Sequence, residues 1–402
     1  VTPLPKRPAE PAPTRQAGGT WPFYAEDEIA AAVEVLTSGR VNQWTGEKVR
    51  AFETAFAQYV GQPHAVAVFN GTVALELALR ALGIGPGDEV IVTPRSFIAS
   101  ASAVTTVGAS PVFADVDADS GNISPETIRP MIGSRTRAIL PVHLAGFPAD
   151  MPGIMALAST HGLKVIEDCA QSLGATIDGK PTGSFGDAAA FSFCQDKILT
   201  TGGEGGMVLF KDRSAWSRAW SYKDHGKSYE RATAPTATPS FRFVHDSIGT
   251  NWRMIEMQAA IGLVQLGKLE RWNVERARRA EIWRTAFAAV PALKVPLPRK
   301  GMRHAWYKLH AYLRPELLKS GVARDDVLAA LVANGIRAFS GGCSEIYLER
   351  AYADRHEPTR PIAKALGETN LMFEVHPTLD ESALAETARR AAQIIASFAR
   401  DS

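Results

Sequence analysis

From residue 64 to residue 210 short apolar runs rich in β-branched and small residues alternate with stretches of helical period, and few folds can house such a pattern. The runs are HAVAVF (64–69), DEVIVTP (88–94), SPVFADV (110–116), RAILPVH (137–143), LKVIED (163–168), DAAAFSF (187–193) and GMVLF (206–210). Between them TVALELALRALG (72–83), SFIASASAVTTVG (96–108) and ADMPGIMALASTHG (149–162) place apolar residues three and four apart, as an amphipathic helix requires. Strands without polar alternation are buried on both faces, so the chain is expected to be α/β, with a largely parallel sheet covered by helices on either side.

Beyond the last run the texture changes twice. Residues 225–250 show little periodicity and read as a long surface loop, whereas 252–287 form one long helical stretch with a basic far end. AWYKLHAYL (305–313), RDDVLAALVANGIRAF (324–339) and a last helix from about Asp380 suggest a smaller α+β domain. The expected division is a disordered proline-rich tail over 1–20, a large domain over 21–290 and a small C-terminal domain over 291–402.

Composition removes several classes. Forty-four basic against 42 acidic residues give no nucleic-acid or membrane footprint. Three scattered cysteines, Cys169, Cys194 and Cys343, make neither a zinc cluster nor a disulfide framework and suit a reducing cytoplasm. No run approaches the ~20 apolar residues of a membrane helix.

Ligands of open α/β sheets gather at the carboxyl ends of the strands. There LKVIED ends in Glu167 and Asp168, with Gln171 three residues on. DAAAFSF delivers Ser192, then Lys197 ahead of GGEGG. HAVAVF runs into Asn70, Gly71 and Thr72, which open a helix, and DEVIVTP leads to Ser96 and Phe97. Singly, each has an ordinary reading: Lys197 as a surface lysine, Asp168 as a helix N-cap, Phe97 as core, Gly71-Thr72 as a turn.

Together they meet the needs of pyridoxal phosphate. An accessible lysine forms the Schiff base, a carboxylate holds the proton on the pyridine nitrogen, and a helix start with hydroxyls takes the phosphate. A flat apolar ring covers the cofactor, and nearby glycines let the backbone pass close beside it.

At these residues the chain resembles the DegT/DnrJ/EryC1/StrS aminotransferases. The similarity runs in order through NGTVALELALRALGIGPGDEVIV, GASPVFADVD, PVHLAGFPADM, VIEDCAQSLGA, GSFGDAAAFSF with its lysine and GGEGG, and NWRMIEMQAAIGLVQLGKL, over roughly residues 21–280. The resemblance implies a fold type I, aspartate-aminotransferase-like architecture and a homodimer with shared active sites. It implies transfer of an amino group, usually from glutamate, to a keto sugar linked to a nucleotide, in surface-polysaccharide or secondary-metabolite synthesis.

Carried over, Lys197 is the Schiff-base lysine and proton shuttle, Asp168 pairs with the pyridine nitrogen and Gln171 bonds the ring's phenolic oxygen. Gly71, Thr72 and Ser192 hold the phosphate, Phe97 stacks on the ring, and Asn251 reaches the neighbouring subunit's phosphate. Arg253 is either a donor-carboxylate ligand or a structural arginine, and His143 and His225 are either substrate contacts or packing residues. No metal is implied.

Three alternatives stay open. They are a sugar dehydratase of the same family, which has histidine where Lys197 stands; amination of a cyclitol or aromatic acceptor; and a non-catalytic PLP-binding regulator. The family pattern breaks at FSGGCSEIYLERAY (339–352) and LMFEVHP (371–377), a region that in the family borders the acceptor pocket.

Overall fold

The computed structural model describes residues 19–234 and 244–400. Among them, seven strands form the main sheet: β1 (His64–Val68), β2 (Glu89–Val92), β3 (Ser110–Phe113), β4 (Thr136–Leu140), β5 (Lys164–Asp168), β6 (Ala188–Ser192) and β7 (Gly206–Phe210). Their order across the sheet is β1-β7-β6-β5-β4-β2-β3. Every neighbouring pair is parallel except those involving β7, which runs antiparallel to both β1 and β6. All seven apolar runs are therefore strands, and the sheet is mainly parallel. The reversal of β7 leaves no mark in its apolar run, because a strand buried on both faces reads the same in either direction.

Alternation inside the runs sends side chains to two interiors. Val66, Val68, Ala188, Ala190, Val208 and Phe210 pack under the helices Gly71–Ala81, Ala99–Thr106 and Arg213–Lys223. Ala65, Ala67, Ala189, Phe191, Met207 and Leu209 face the other way, against Phe52 and Phe56 of the helix Lys48–Val60 and Leu269 of the long helix Glu256–Phe287. The polar loops are thereby driven to the strand ends, where the chemistry-bearing residues lie.

A second, antiparallel sheet joins Leu293–Lys294, Leu309–Leu313, Asn370–Phe373 and Ala338–Phe339 in that order. The final helix Glu381–Ser397, capped by the Asp380 carboxylate on the Ala383 amide at 2.9 Å, covers it. Ala280, Trp283 and Phe287 from the end of the long helix also enter this second core, so that one helix serves both sheets.

The sequence expectation for 225–250 changes in part, since Tyr229–Thr233 is helical with Ser228 as its N-cap. Residues 235–243 of that loop and 1–18 of the proline-rich tail lie outside the described residues. The chain is already anchored at Thr20, whose carbonyl accepts from the Thr378 hydroxyl at 3.1 Å.

Candidate active site

At the end of β1 the helix Gly71–Ala81 begins. Asn70 caps it, its side chain accepting from the Val73 amide at 3.0 Å. The helix start is pressed against the ends of β6 and β7. A Cβ on Gly71 would lie 2.6 Å from Ser192 Cβ, and one on Gly206 would lie 2.4 Å from the Asn70 carbonyl oxygen. Only glycine at these two positions lets the first turn meet the Ser192 hydroxyl. A helix N-terminus with hydroxyls of Thr72 and Ser192 beside it is an anion cradle. Gly71→Ala is expected to weaken PLP affinity roughly 5- to 150-fold, because overpacking a tight contact costs about 1–3 kcal/mol. Titrating the cofactor-free protein with PLP measures this.

Asp168, closing β5, is buried, its Oδ2 accepting from the Ser100 hydroxyl at 2.7 Å and its Oδ1 from the Ala170 amide at 3.1 Å. Ser100 Oγ in turn lies 3.1 Å from Ser96 Oγ. Burial pushes the Asp168 carboxyl up, against the pull of Ser100, Ala170, Lys197 and His143. A carboxylate kept from water in this way calls for a cation, and a protonated pyridine supplies one. Gln171 points its Oε1 at the Ala145 amide, 2.6 Å away.

Lys197 follows β6, with its side chain 16% exposed. Its Nζ lies 3.3 Å from the Tyr307 hydroxyl, and the indole N–H of Trp21 donates to its backbone carbonyl at 2.8 Å. Phe97 is not core: it stands 66% exposed beyond β2, where a flat ligand can lie against it.

The other expected residues divide. His143 is fully buried. Its Nδ1 accepts from the Ala149 amide at 3.0 Å, so Nε2 carries the proton and donates to Glu167 at 3.1 Å. Glu167 also accepts from the amides of Gly183, Phe185 and Gly186 at 2.8, 2.8 and 2.7 Å. His143 and Glu167 thus fasten loops beneath the site. Arg253 is spoken for by Asp224 at 2.7 Å. That carboxylate also takes Lys227 Nζ, Gln43 Nε2 and Trp44 Nε1 at 2.9, 3.0 and 2.9 Å. Burial alone would raise Asp224, yet Lys227, Arg253 and Lys223 hold it below the usual carboxylate range. His225 and Asn251 are exposed at the edge of this cluster, Asn251 bridging Asp224 through its backbone. Tyr307 and Asp196 join Lys197 without having been singled out in the sequence. Only the placement of Asp196 beside the lysine could have drawn attention to it.

The residues fit PLP: a cradle that a Cβ would fill, a buried carboxylate seeking a cation, and a lysine within a partly enclosed edge. When bound, PLP supplies an aldehyde for amines and a ring that withdraws electrons. The Gly71–Ser192 cradle would hold its phosphate, Asp168 would face its ring, and Lys197 Nζ would stand where protons are moved.

Comparison with known proteins agrees. A relative from Acidithiobacillus ferrooxidans, UDP-N-acetyl-3-dehydro-alpha-D-glucosamine 3-aminotransferase, is 40% identical over 343 residues, 85% of this chain and 87% of its own. The spore coat polysaccharide biosynthesis protein SpsC of Bacillus subtilis is 40% identical over 311 residues, 77% of this chain and 78% of its own. Among solved structures, the aminotransferase from Psychrobacter cryohalolentis superposes with a TM-score of 0.92 at 47% identity, covering 95% of this chain and 99% of its own. The fold is that of PLP-dependent aminotransferases of fold type I, and the enzyme is an aminotransferase using PLP. The family's sequence model matches residues 22–390, well past the 21–280 span of the motifs. With that match running through both sheets and the lysine edge, the chain belongs to the DegT/DnrJ/EryC1/StrS aminotransferase family.

Proposed function

We infer that this enzyme transfers an amino group from glutamate to the keto carbon of a nucleotide-linked sugar destined for a surface polysaccharide or a secondary metabolite. The observation that carries the reading is the meeting of Lys197, buried Asp168 and the Gly71–Ser192 cradle at one sheet edge. The sugar acceptor is supported by the two relatives, one named for a UDP-linked keto sugar and the other for polysaccharide synthesis. Lys197 in place of histidine disfavours a dehydratase. In this reading Lys197 binds the cofactor covalently and carries protons, and Asp168 faces the pyridine nitrogen. Gln171 meets the phenolic oxygen, Gly71, Thr72 and Ser192 take the phosphate, and Phe97 lies on the ring. Arg253 is structural, because its partner Asp224 is buried and needs it.

The acceptor side lies toward residues 339–352, where the family pattern breaks. That segment is tied to the Phe97 loop, Ser96 N donating to the Cys343 carbonyl at 3.0 Å and Ile346 N to the Pro94 carbonyl at 2.9 Å. Offering nucleotide-linked keto sugars and free keto acids to the amine-loaded cofactor form tests the reading. Faster consumption of a keto sugar than of any keto acid other than the donor's own is expected.

A homodimer with shared sites belongs to the same proposal. Ile29, Val33 and Leu36 stand 55%, 53% and 59% exposed along one side of the helix Glu26–Ser38, an apolar stripe that suits burial against a second copy. Asn251 would then serve the partner's phosphate. Mixing Lys197→Ala with an inactive Asn251 variant is expected to restore up to about a quarter of wild-type activity, since half of randomly formed dimers are hybrids with one intact site. Verified hybrids without recovery would place each site within one chain. The location is proposed to be cytoplasmic. The three free cysteines suit it, and among the described residues no helix is long and apolar enough to cross a membrane.

A further inference from the structure

Lys197 faces a pair of acidic groups brought from two parts of the chain. The Tyr307 hydroxyl, 3.3 Å from Nζ, donates its own proton to Asp196 Oδ2. Asp196 Oδ1 lies 3.7 Å from the same Nζ. An O–H that donates to a carboxylate keeps its lone pairs for an ammonium N–H, so the three groups form a continuous hydrogen-bonded line. Lys197 is 16% exposed and Tyr307 is buried, whereas the Asp196 side chain at the far end is 50% exposed.

We propose that Tyr307 and Asp196 are a relay through which Lys197 exchanges its proton with solvent while the site stays closed. The proposal rests on Lys197 being the reacting lysine. One proton leaves the Nζ ammonium for the tyrosine oxygen as the tyrosine's own proton passes to Asp196 Oδ2. The products are a neutral amine, a neutral tyrosine and a carboxylic acid, which then gives the proton to water. The reverse transfer restores the start, and no electrons or further reactants are involved.

The surroundings suit this direction. Arg276 reaches the Tyr307 carbonyl at 3.4 Å and Lys308 Nζ lies 5.5 Å from its ring, so two cations stand beside the tyrosine. Asp168 faces Lys197 from the cofactor side, and burial keeps the Cys194 thiol neutral. Burial, and then Asp196, push the Tyr307 phenol well above its usual range, so it passes a proton on without holding a negative charge.

The test uses wild-type, Tyr307→Phe and Asp196→Asn holoenzymes with an amino donor deuterated at its α-carbon. Deuterium retained in the pyridoxamine phosphate released afterwards is read by mass spectrometry. The relay bleeds label to water, so both variants are expected to retain several-fold more. Their kcat should fall roughly 10²-fold, as for loss of a proton-transfer group, with the donor KM nearly unchanged. Asp196→Glu should recover part of the exchange. In cofactor-free protein an amine-directed reagent should modify Lys197 several-fold faster in both variants, the nitrogen having lost its acceptors. A purely structural role would slow turnover but leave the retained fraction unaltered, and that result overturns the relay. Should Tyr307→Phe fail to fold, the half-exposed Asp196→Asn carries the same measurement. Lys197→Ala separates the two claims: if it keeps visible cofactor absorption and turnover, the reading of Lys197 itself falls. If it is dead while retention is unchanged in the other variants, only the relay falls.

Discussion

Lys197→Ala is expected to lose the visible absorption of lysine-bound cofactor together with transamination, by a factor of roughly 10⁴ or more. Two losses combine in this one change: the amine that fixes the cofactor and the base that moves its protons, the second alone being worth about 10²–10⁴. The cofactor should still bind through the Gly71–Ser192 cradle, so reduced affinity without abolished affinity is part of the expectation. Lys197→Arg should fare no better, since a guanidinium keeps its proton and does not add to an aldehyde. Absorption spectra and turnover of the purified variants decide the matter. Near wild-type turnover in either would remove Lys197 from the chemistry.

Asp168→Asn should separate function from stability. A nearby opposite charge moves a pKa by about 1–3 units, so removing it is expected to slow transamination roughly 10- to 10³-fold with the cofactor still bound. Stability of the cofactor-free protein should move the other way. The folded pKa of Asp168 lies above the unfolded value because burial disfavours the charged form. The folded chain therefore binds the proton more tightly, and stability falls as pH rises from about 4 through the higher folded value. Asp168→Asn removes that slope, and its cofactor-free form should melt higher than wild type at neutral pH. Melting curves across pH with and without PLP test both halves. Full activity in Asp168→Asn would return the residue to a capping role.

The strands were open to reading because burial on both faces strips them of polar residues, and the edge that holds the ligand follows from the fold's own rule. Lys197, Asp168, Ser192 and Gly71 were legible for that reason. The helices Glu26–Ser38 and Lys48–Val60 lie ahead of the strand–helix alternation and are not marked by it, although the first opens on Glu26, Asp27 and Glu28, as a helix start favours. Tyr307 could not be found from sequence, because what matters is its approach to Asp196 and Lys197 from a loop more than a hundred residues away. Arg253 posed the same difficulty in reverse. Its motif allowed a ligand role, and its pairing with the buried Asp224 is visible only in the structure.

The place of β1 in the sheet bears on how the protein is born. β1 carries the helix that starts at Gly71, yet its single strand neighbour in the sheet is β7, paired from His64↔Phe210 to Val68↔Gly206. During synthesis the strand that leads into the phosphate cradle therefore waits, unpaired, until the last strand of the sheet has left the ribosome. Contacts so distant in sequence form late because a long loop must first close. A nascent chain stopped before residue 210 would have Lys197 but no finished cradle to hold a cofactor beside it. Uptake of PLP is therefore expected only once the large sheet is complete, and the coenzyme's colour would then report folding during translation.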